Sequence, residues 1–344
     1  MKQQRDIMQS SLPSSGGEAF AGLAEPYRRE LKLHCYRMLG SLHEAEDMVQ
    51  ETFLRGWRAY ESFDGRGTLR AWLYRIATNA CLDALAARKH GERLLPDQRT
   101  GATEELPDGR HLEVPWLEPY PDAQMESIAD AVPGPEARYA AGQAVRLAFV
   151  AALQALPPRQ RAVLLLIDVL GWSAAETATL LGGSVASINS ALQRARDTLA
   201  RQYPAGLPAA PVLAAPAQQD LLGRYLKAWE ALDLDALVAL LKEDASYVMP
   251  PAPQWYSGRV AIRRFFAWAW PHYESYRMLP TRANGQPAFA AYARAHAGAP
   301  WAAHSLHVLT LDAAGIANLT LFYKPGKRLF TEFGVPAELP PCGV

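Results

Sequence analysis

Apolar residues recur at helical spacing in the first part of the chain, and helix-start and helix-stop signals lie between the apolar stripes. The stripe that begins at Glu18 ends at Gly40, a residue type that commonly terminates helices. Ser41 and Thr68 each precede a further stripe and can cap the helix that follows by accepting a hydrogen bond from a backbone N–H. The pattern predicts an all-α domain over residues 18–95.

A second helical region lies between Pro157 and Gln202 and has two sharp breaks. Gly171 ends its first helix, and Ser173 is followed three residues later by a glutamate, which is the capping-box spacing. The residues at the positions that a helix-turn-helix needs (a small residue, a turn glycine and two branched residues) are Ala178, Gly182, Val185 and Ile188. We therefore predict a second all-α domain over residues 138–203, with a helix-turn-helix.

Beyond this region the apolar period shortens to two, which is typical of strands. Two helices, split at Asp233–Asp235, come first. The elements predicted after them are a strand at 245–249, a helix at 259–270, and strands at 276–279, 288–296, 304–311 and 316–323. His304 and His307 lie three residues apart on one strand, so side-chain alternation predicts that they face opposite sides and share no metal ion. The order of elements, with helices first and the strands of an antiparallel sheet after them, predicts an α+β domain over residues 218–335.

Three segments lack these patterns. Residues 1–17 are predicted to be a disordered leader, because they contain no apolar run of the kind found in signal peptides. Residues 96–137 form a linker rich in proline and acidic residues, and residues 204–217 form a second linker rich in proline and alanine. In the first linker, Trp116, Leu117 and Tyr120 are too apolar for a free segment, and we expect them to pack on a domain surface.

Composition narrows the functions that these domains can serve. The chain has 344 residues and a formal net charge of zero, so any nucleic-acid-binding surface must be local. Its three cysteines are widely separated and form no cluster with histidine, which indicates reduced thiols in a cytoplasmic protein without a metal site or cofactor. No apolar run has the length of a membrane span, so we expect no membrane contact.

Polar residues gather on one face of several predicted helices. The helix after Ser41 presents an acidic, amide-bearing face with one leucine, which suits a basic protein partner or is an ordinary solvated face. The last helix before Gln202 presents short donors and acceptors followed by guanidinium groups, which suit base edges and phosphates. The solvated side of a three-helix bundle has the same character. The loop at residues 61–67 suits the binding of an extruded base, and the basic helix after it suits the phosphates of that strand. The alternative is an ordinary helical hairpin.

Three segments of this chain resemble, in order, parts of bacterial RNA polymerase sigma factors of the extracytoplasmic-function class (sigma-70 family, group IV). They are HEAEDMVQETFLRGWRAY, TLRAWLYRIATNACLDAL and LPPRQRAVLLLIDVLGWSAAETATLLGGSVASINSALQRAR. They fall within residues 20–203, roughly half of the chain. The resemblance implies a protein that binds the RNA polymerase core, recognises and melts promoter DNA, and performs no chemistry of its own.

The same resemblance implies a role for each polar face. The residues expected to bind the beta-prime clamp of the polymerase core are Asp47, Gln50, Glu51 and Leu54. The residues expected at the minus-10 element, where the loop accepts a flipped base, are Phe63, Arg66, Arg70, Trp72, Arg75, Asn79 and Arg88. The residues expected in the major groove at the minus-35 element are Ser184, Ser187, Asn189, Ser190, Gln193, Arg194 and Arg196.

The order of elements in residues 218–335 resembles the cone-shaped SnoaL-like fold, whose sheet closes around a pocket. The residues expected to line that pocket, unless they are simply core, are Trp229, Tyr247, Met249, Trp255, Phe265, Trp268, Tyr292 and His304. The fold class is therefore multidomain, with two all-α domains followed by an α+β cone-shaped domain. We expect the last domain to lack enzymatic activity and to regulate the helical domains in cis, by binding an unidentified small ligand or by clamping them together.

Two other functions stay open on sequence grounds. The chain could be a DNA-binding regulator that acts without polymerase, or a small-molecule-binding or cyclase-like enzyme domain fused to a helix-turn-helix regulator. The helix that carries Asp47 and Gln50 discriminates the first of these from a sigma factor, because a stand-alone regulator has no need of it.

Overall fold

The structure is a computed structural model that describes residues 20–63, 65, 67–88, 91–107, 114–125, 144–204 and 215–340. The predicted leader, Arg66, Cys342 and most of the second linker lie outside these residues. The chain divides into two compact units, one formed by residues 1–88 and 158–194 and the other by residues 89–157 and 195–344. The domain boundaries expected from the sequence stay predictions.

Eleven α-helices lie in the described part of the chain. They are α1 (Arg28–Leu39), α2 (Leu42–Ala59), α3 (Leu69–Ala87), α4 (Leu147–Gln154), α5 (Pro158–Leu164), α6 (Ala174–Leu181), α7 (Val185–Gln202), α8 (Ala215–Glu230), α9 (Leu234–Ala239), α10 (Arg259–Ala269) and α11 (Lys327–Glu332). The strands are β1 (Leu241–Val248), β2 (Trp255–Ser257), β3 (Ser275–Ala283), β4 (Gln286–Arg294), β5 (Trp301–Asp312), β6 (Gly315–Tyr323) and β7 (Glu338–Leu339).

In the first unit, α1, α2 and α3 pack into a bundle whose ends follow the local signals in the sequence. Gly40 ends α1 with a φ of 71°, and the hydroxyl oxygens of Ser41 and Thr68 accept hydrogen bonds from backbone N–H groups in the first turns of α2 and α3. The stripe before Gly40 is not one helix, because a 3₁₀ turn at Glu25–Tyr27 interrupts it at Pro26.

His34 lies fully buried in this bundle, as its place on the apolar stripe predicts. Its Nε2 is 2.9 Å from Thr78 Oγ1, and the Thr78 hydroxyl donates to the Tyr74 carbonyl at 2.7 Å. Because Thr78 has one hydroxyl proton, Nε2–H is the donor between His34 and Thr78. Burial, together with the smaller effect of the Arg37 and Arg70 charges, lowers the pKa of His34 to about 3.

This buried imidazole should make the protein less stable in acid. Between about pH 6.5 and pH 3 the unfolded chain binds a proton at His34 that the folded chain excludes, so stability falls as the pH drops through this range. We expect His34→Gln, which keeps a donor near Thr78, to reduce the slope of unfolding free energy against pH there by up to about 1.4 kcal/mol per pH unit. Urea unfolding at several pH values measures the slope. The exposed His272→Gln variant is the control, and equal slopes for the two variants would contradict the assignment.

The helix-turn-helix begins in α5, which opens at Pro158 and widens into a π-helical turn at Leu165–Val169 before Gly171 ends it. Ser173 and Glu176 form the expected capping box at the start of α6. The buried face of α6 consists of Thr177, Ala178 and Leu180, and Leu181 is half-buried.

One helix-turn-helix position departs from the prediction. Ile188 is fully buried against the preceding helices, but the Val185 side chain is 45% exposed, so only one of the two branched residues anchors α7. Val185 is the first residue of α7, where the chain is still leaving the turn at Gly182. The Arg159 guanidinium closes that turn by donating to the carbonyls of Leu181 and Gly182 at 3.3 and 2.8 Å.

The second unit contains one mixed sheet with the strand order β2-β1-β6-β5-β4-β3, and β7 pairs with β5. The sheet was expected to be antiparallel, but β1 runs parallel to β6, while the other neighbouring pairs are antiparallel. Residues from α8, α9 and α10 form one core cluster with residues from the strands. Asp233 caps α9, where the sequence predicted a break between two helices.

The expected pocket residues do not share one surface. Trp229, Tyr247 and Phe265 belong to the core cluster, and Trp268 is exposed on α10. The Tyr292 ring packs on Phe330 in another part of the domain. Most of the aromatic side chains in this set therefore serve as core or surface, which was the alternative for each.

The prediction that His304 and His307 face opposite sides is wrong. The pairing of β4 with β5 shifts register between Ala291, opposite Ser305, and Tyr292, opposite Ala303, so His304 is an extra residue without a partner in this pairing. A β-bulge of this kind breaks the alternation of side chains along a strand. Ser305 Oγ lies 2.8 Å from His304 Nδ1 and 2.8 Å from His307 Nε2, so both imidazoles meet at one hydroxyl.

The expectation that the apolar part of the first linker packs on a domain surface is confirmed. Leu117 and Tyr120 are buried, and Pro121 forms a β-bridge with Ala283 at the end of β3. The linker therefore lies on the α+β domain.

Candidate nucleic-acid and partner-binding surfaces

The expected polymerase-binding residues lie in a groove between α2 and α3 with a volume of about 580 Å³. The residues that line it are Asp47, Met48, Gln50, Glu51, Leu54, Arg55, Ala80, Asp83, Ala84 and Ala87. Asp47 and Gln50 are exposed to solvent, and Leu54 is 38% exposed. The four residues named from the sequence thus share one concave surface.

Arg55 lies on the polar face of α2 expected from the sequence but was not among the expected polymerase-binding residues, and Asp83 was not expected in this groove. Arg55 donates to Glu51 Oε1 at 2.6 Å and to Asp83 Oδ2 at 2.8 Å, so it joins α2 to α3. These hydrogen bonds, the one to Asp83 first, raise the pKa of Arg55. The Glu51–Arg55 pair has the i, i+4 spacing and could have been read from the sequence, whereas Asp83 comes close only in the folded bundle.

Trp57 adds an apolar element to the same helix. It is 53% exposed, one helical turn beyond Leu54 on α2. Large apolar side chains that remain this exposed beside acidic groups are typical of a protein-binding surface.

The expected minus-10 residues divide into a packed set and an exposed residue. The rings of Phe63 and Trp72 lie 5.1 Å apart, and Trp72 also meets Phe20 edge-on at 6.5 Å. Arg75 is exposed on α3, and Asn79 is half-buried. Among these described residues, Arg75 is therefore the one with a solvent-exposed side chain on α3.

Arg70 and Arg88 of the same set form ion pairs within the bundle. Arg70 Nη2 lies 2.7 Å from Glu30 Oε2, and its Nε lies 2.9 Å from both carboxylate oxygens. Arg88 Nη2 lies 2.5 Å from Glu44 Oε2. These pairs hold α3 against α1 and α2, and DNA contact by either arginine stays a prediction.

The expected minus-35 residues lie on α7, and its outer face is solvated. Ser184 caps the helix by accepting from the Ser187 N–H at 3.1 Å, and the Ser187 hydroxyl donates to the Ser184 carbonyl at 2.7 Å. The expected residues that follow them are all exposed: Asn189, Ser190, Gln193, Arg194 and Arg196. The structure therefore gives the two serines a role at the helix start and leaves the others accessible to a ligand.

The described residues contain no group of three or more potential ligand side chains that could hold a metal ion. In the same part of the chain, none of the helices combines the length and apolar character needed to cross a bilayer.

Comparison with known proteins identifies the class to which these domains belong. Residues 23–91 match the family described as Sigma-70 region 2, residues 146–199 match Sigma-70, region 4, and residues 222–318 match the SnoaL-like domain. The chain is thus a sigma factor of the sigma-70 family that carries a SnoaL-like domain after its region 4.

Relatives of known class specify it further. The chain is 46% identical over 325 residues to the ECF RNA polymerase sigma factor SigG of Mycobacterium tuberculosis, covering 93% of this chain and 85% of the relative. It is 30% identical over 189 residues to the ECF sigma factor SigW of Bacillus subtilis, covering 54% of this chain and 89% of the relative. It belongs to the extracytoplasmic-function (ECF) RNA polymerase sigma factors, which direct transcription initiation at promoters.

A solved structure shares the whole architecture. The crystal structure of the ECF sigma factor SigJ of Mycobacterium tuberculosis superposes with a TM-score of 0.59 and 24% sequence identity, covering 92% of this chain and 99% of SigJ. The fold expected from the sequence, helical sigma domains followed by an α+β SnoaL-like domain, is therefore confirmed.

Proposed function

We propose that this protein binds the RNA polymerase core through the groove between α2 and α3, with the beta-prime clamp as the occupant. The observation that carries the proposal is the combination of exposed Asp47 and Gln50 with the exposed apolar side chains of Leu54 and Trp57 on one helix. Acidic groups around an apolar centre favour a basic, partly apolar partner helix. Run-off transcription with purified polymerase core tests the proposal directly, and a chain that gives no promoter-specific transcript would exclude it.

Promoter contact is proposed for the exposed faces of α3 and α7. Arg75 and Asn79 face the minus-10 strand in this proposal, and Asn189, Ser190 and Arg194 face the minus-35 duplex. Two modest contacts on one scaffold reinforce each other, because the second contact becomes intramolecular once the first has formed. Zero net charge agrees with weak binding to DNA by the free chain and stronger binding once polymerase holds it.

We expect Arg194→Ala to weaken promoter binding by the polymerase-bound protein about tenfold. Arg194 follows the first turns of α7, so it is placed for a phosphate, and the loss should be uniform across promoter sequences. The slope of log affinity against log salt should fall by about 1, because one fewer counterion is released. Titration of labelled promoter at several salt concentrations measures both effects. Arg201→Ala, on the same helix, is the control, and equal behaviour of the two variants would contradict the role of Arg194.

The packing inside the first unit has a further consequence for this function. Arg161 of α5 is buried and donates to the Met38 carbonyl at the end of α1, and the Trp172 ring lies 5.9 Å from the ring of Tyr74 on α3. The minus-10 and minus-35 elements are about 25 base pairs apart, or about 85 Å of duplex. The helix-turn-helix and α3 therefore have to separate on a promoter, and we propose that the packed arrangement is an inactive one.

We propose that the SnoaL-like domain regulates this separation in cis by holding the linker. The turn between β3 and β4 is here called the clasp (residues 282–286). It forms hydrogen bonds with two segments of the chain that precede the helix-turn-helix. The Asn284 amide accepts from the Tyr120 N–H at 2.8 Å and donates to the Val145 carbonyl at 2.8 Å. Asp122 accepts from the Gly285 N–H at 2.7 Å and pairs with Arg282 at 3.0 Å.

Removal of the domain tests the regulatory role. We expect a chain that ends at Tyr203 to direct more transcription from a cognate promoter than the full chain, because its linker is no longer held. Run-off transcription at equal polymerase occupancy is the measurement. Equal transcription by the two chains would remove the regulatory role.

A further inference from the structure

The interior of the SnoaL-like domain contains a continuous chain of hydrogen-bonding side chains that the sigma function does not use. Tyr225 Oη lies 2.8 Å from His307 Nδ1, and His307 Nε2 lies 2.8 Å from Ser305 Oγ. Ser305 Oγ lies 2.8 Å from His304 Nδ1, where the chain of four side chains ends. All four residues are buried, so this polar chain runs through an apolar core.

The end of this chain lies in a box of three tyrosines. The rings of Tyr273, Tyr276 and Tyr323 surround the His304 imidazole at centroid distances of 4.8, 5.2 and 5.1 Å. His304 Nε2 is buried and has no hydrogen-bond partner among the residues that the structure describes. A buried polar atom left unpaired destabilises a fold, and nearly all such atoms in native cores have a hydrogen-bond partner.

The direction of the hydrogen bonds among these four side chains determines whether His304 Nε2 needs a donor or an acceptor as its partner. Among the described residues, His307 Nδ1 is the acceptor available to the buried Tyr225 hydroxyl, so Tyr225 donates to His307. His307 Nε2–H then donates to Ser305, the Ser305 hydroxyl donates to His304 Nδ1, and His304 Nε2 carries the remaining N–H. Trp229 Nε1 and Trp270 Nε1, in the same core cluster, are two further buried donors without an acceptor among the described residues. Unpaired N–H donors surrounded by aromatic rings favour a ligand that has an oxygen acceptor attached to an apolar group.

The charge of the surroundings favours a neutral ligand. Burial lowers the pKa of His304 to about 3 and that of His307 well below its usual range, so both imidazoles are uncharged at physiological pH. The Lys324 ammonium lies over the Tyr323 ring, 5.0 Å from its centroid, but Lys324 is exposed. An anion inside the box would lose its hydration and gain little from this solvated charge.

We propose that the tyrosine box binds a small neutral carbonyl compound, whose oxygen accepts a hydrogen bond from His304 Nε2 while its apolar body packs on the tyrosine rings. Tyr273 and Tyr323 are half-buried, and their hydroxyl oxygens are 3.2 Å apart, so this pair forms the outer wall that an entering ligand displaces. The proposal rests on the proposed function only in making this compound the signal for regulation in cis.

The test uses three probes that share one ring and differ in the acceptor. Acetophenone has a neutral carbonyl, toluene has no acceptor, and benzoate has a charged one. Binding to the full-length chain is followed by NMR through the indole N–H signals of its tryptophans, without polymerase or DNA. We expect acetophenone to bind at least about tenfold more tightly than toluene, which is about 1.4 kcal/mol and within the range of one buried hydrogen bond.

Two substitutions assign this preference to one nitrogen atom. His304→Asn keeps an amide group near the position of Nδ1 and removes Nε2, so the preference for acetophenone should disappear. His304→Gln places its amide near the position of Nε2 and should retain the preference. Should His304→Asn fail to fold, Ser305→Ala replaces it, since loss of the hydroxyl that orients the imidazole should reduce the preference at least threefold.

The outcomes that overturn the proposal are equally specific. Equal binding of acetophenone and toluene by the unmodified chain would show that the box is only packed core. A preference that survives His304→Asn would show that His304 Nε2 is not the donor, and either result overturns the proposal. Tighter binding of benzoate than of acetophenone would overturn the neutral ligand class. None of these results bears on promoter-directed transcription, which is assayed separately, so failure here leaves the proposed sigma function standing.

Discussion

Asp47→Lys should weaken the binding of this protein to RNA polymerase core by about 30-fold at physiological salt. Promoter-specific transcription should fall to a similar extent. Asp47 is exposed at the groove between α2 and α3, and the substitution replaces an attractive charge with a repulsive one against a basic partner. Loss of a complementary charge at an interface commonly costs about 2 kcal/mol or more. Binding of labelled protein to immobilised core at several salt concentrations measures the effect.

The substitution has little reason to disturb the fold, so binding can be separated from stability. Glu61→Lys is the matched control, since Glu61 is an exposed acid just beyond α2 that does not line the groove. It should bind core like the unmodified chain. If Asp47→Lys binds as tightly as this control, the groove is not the docking surface. The alternative of a DNA-binding regulator that acts without polymerase would then be favoured.

Local signals in the sequence were sufficient for most of the helices. Ser41, Thr68 and Ser173 cap helices where the sequence predicted them, and Gly40 ends α1. These signals work because a cap involves residues only a few positions apart, whose geometry hardly depends on the rest of the fold. Five strands (β1, β3, β4, β5 and β6) were also placed to within about four residues, because their alternation reflects burial on one side of a sheet, whereas the short strands β2 and β7 were not predicted.

Contacts between residues far apart in the chain could not be read in this way. The bidentate pair of Arg70 with Glu30 joins residues 40 positions apart, and nothing local distinguishes this arginine from exposed Arg75. The bulge at His304 reverses the expected alternation, and it shows itself only when the partner strand is present. The residues of a candidate surface can therefore be named from sequence, but those committed to internal pairs are identified only by the packed structure.

The clasp gives the second of the large expected effects. Asn284 is fully buried at a φ of 55°, a conformation that asparagine and glycine tolerate, so Asn284→Gly keeps the turn and removes only the side-chain amide. Its side-chain hydrogen bonds to the linker at Tyr120 and to the Val145 carbonyl before α4 would be lost. We expect hydrogen exchange at the Tyr120 amide to rise about 10- to 100-fold, as about 1.4–2.8 kcal/mol of local stability would give.

Transcription by the Asn284→Gly variant shows whether the clasp regulates the protein or only stabilises its structure. Because the linker has to extend when the helix-turn-helix and α3 separate on a promoter, Asn284→Gly should raise transcription several-fold without changing affinity for polymerase core. Asn318→Ala is the matched control, since the Asn318 amide donates to Ser246 Oγ at 2.8 Å within the sheet and does not contact the linker. It should leave both Tyr120 exchange and transcription unchanged. Faster exchange at Tyr120 with unaltered transcription would mean that the clasp stabilises the linker but does not govern promoter engagement.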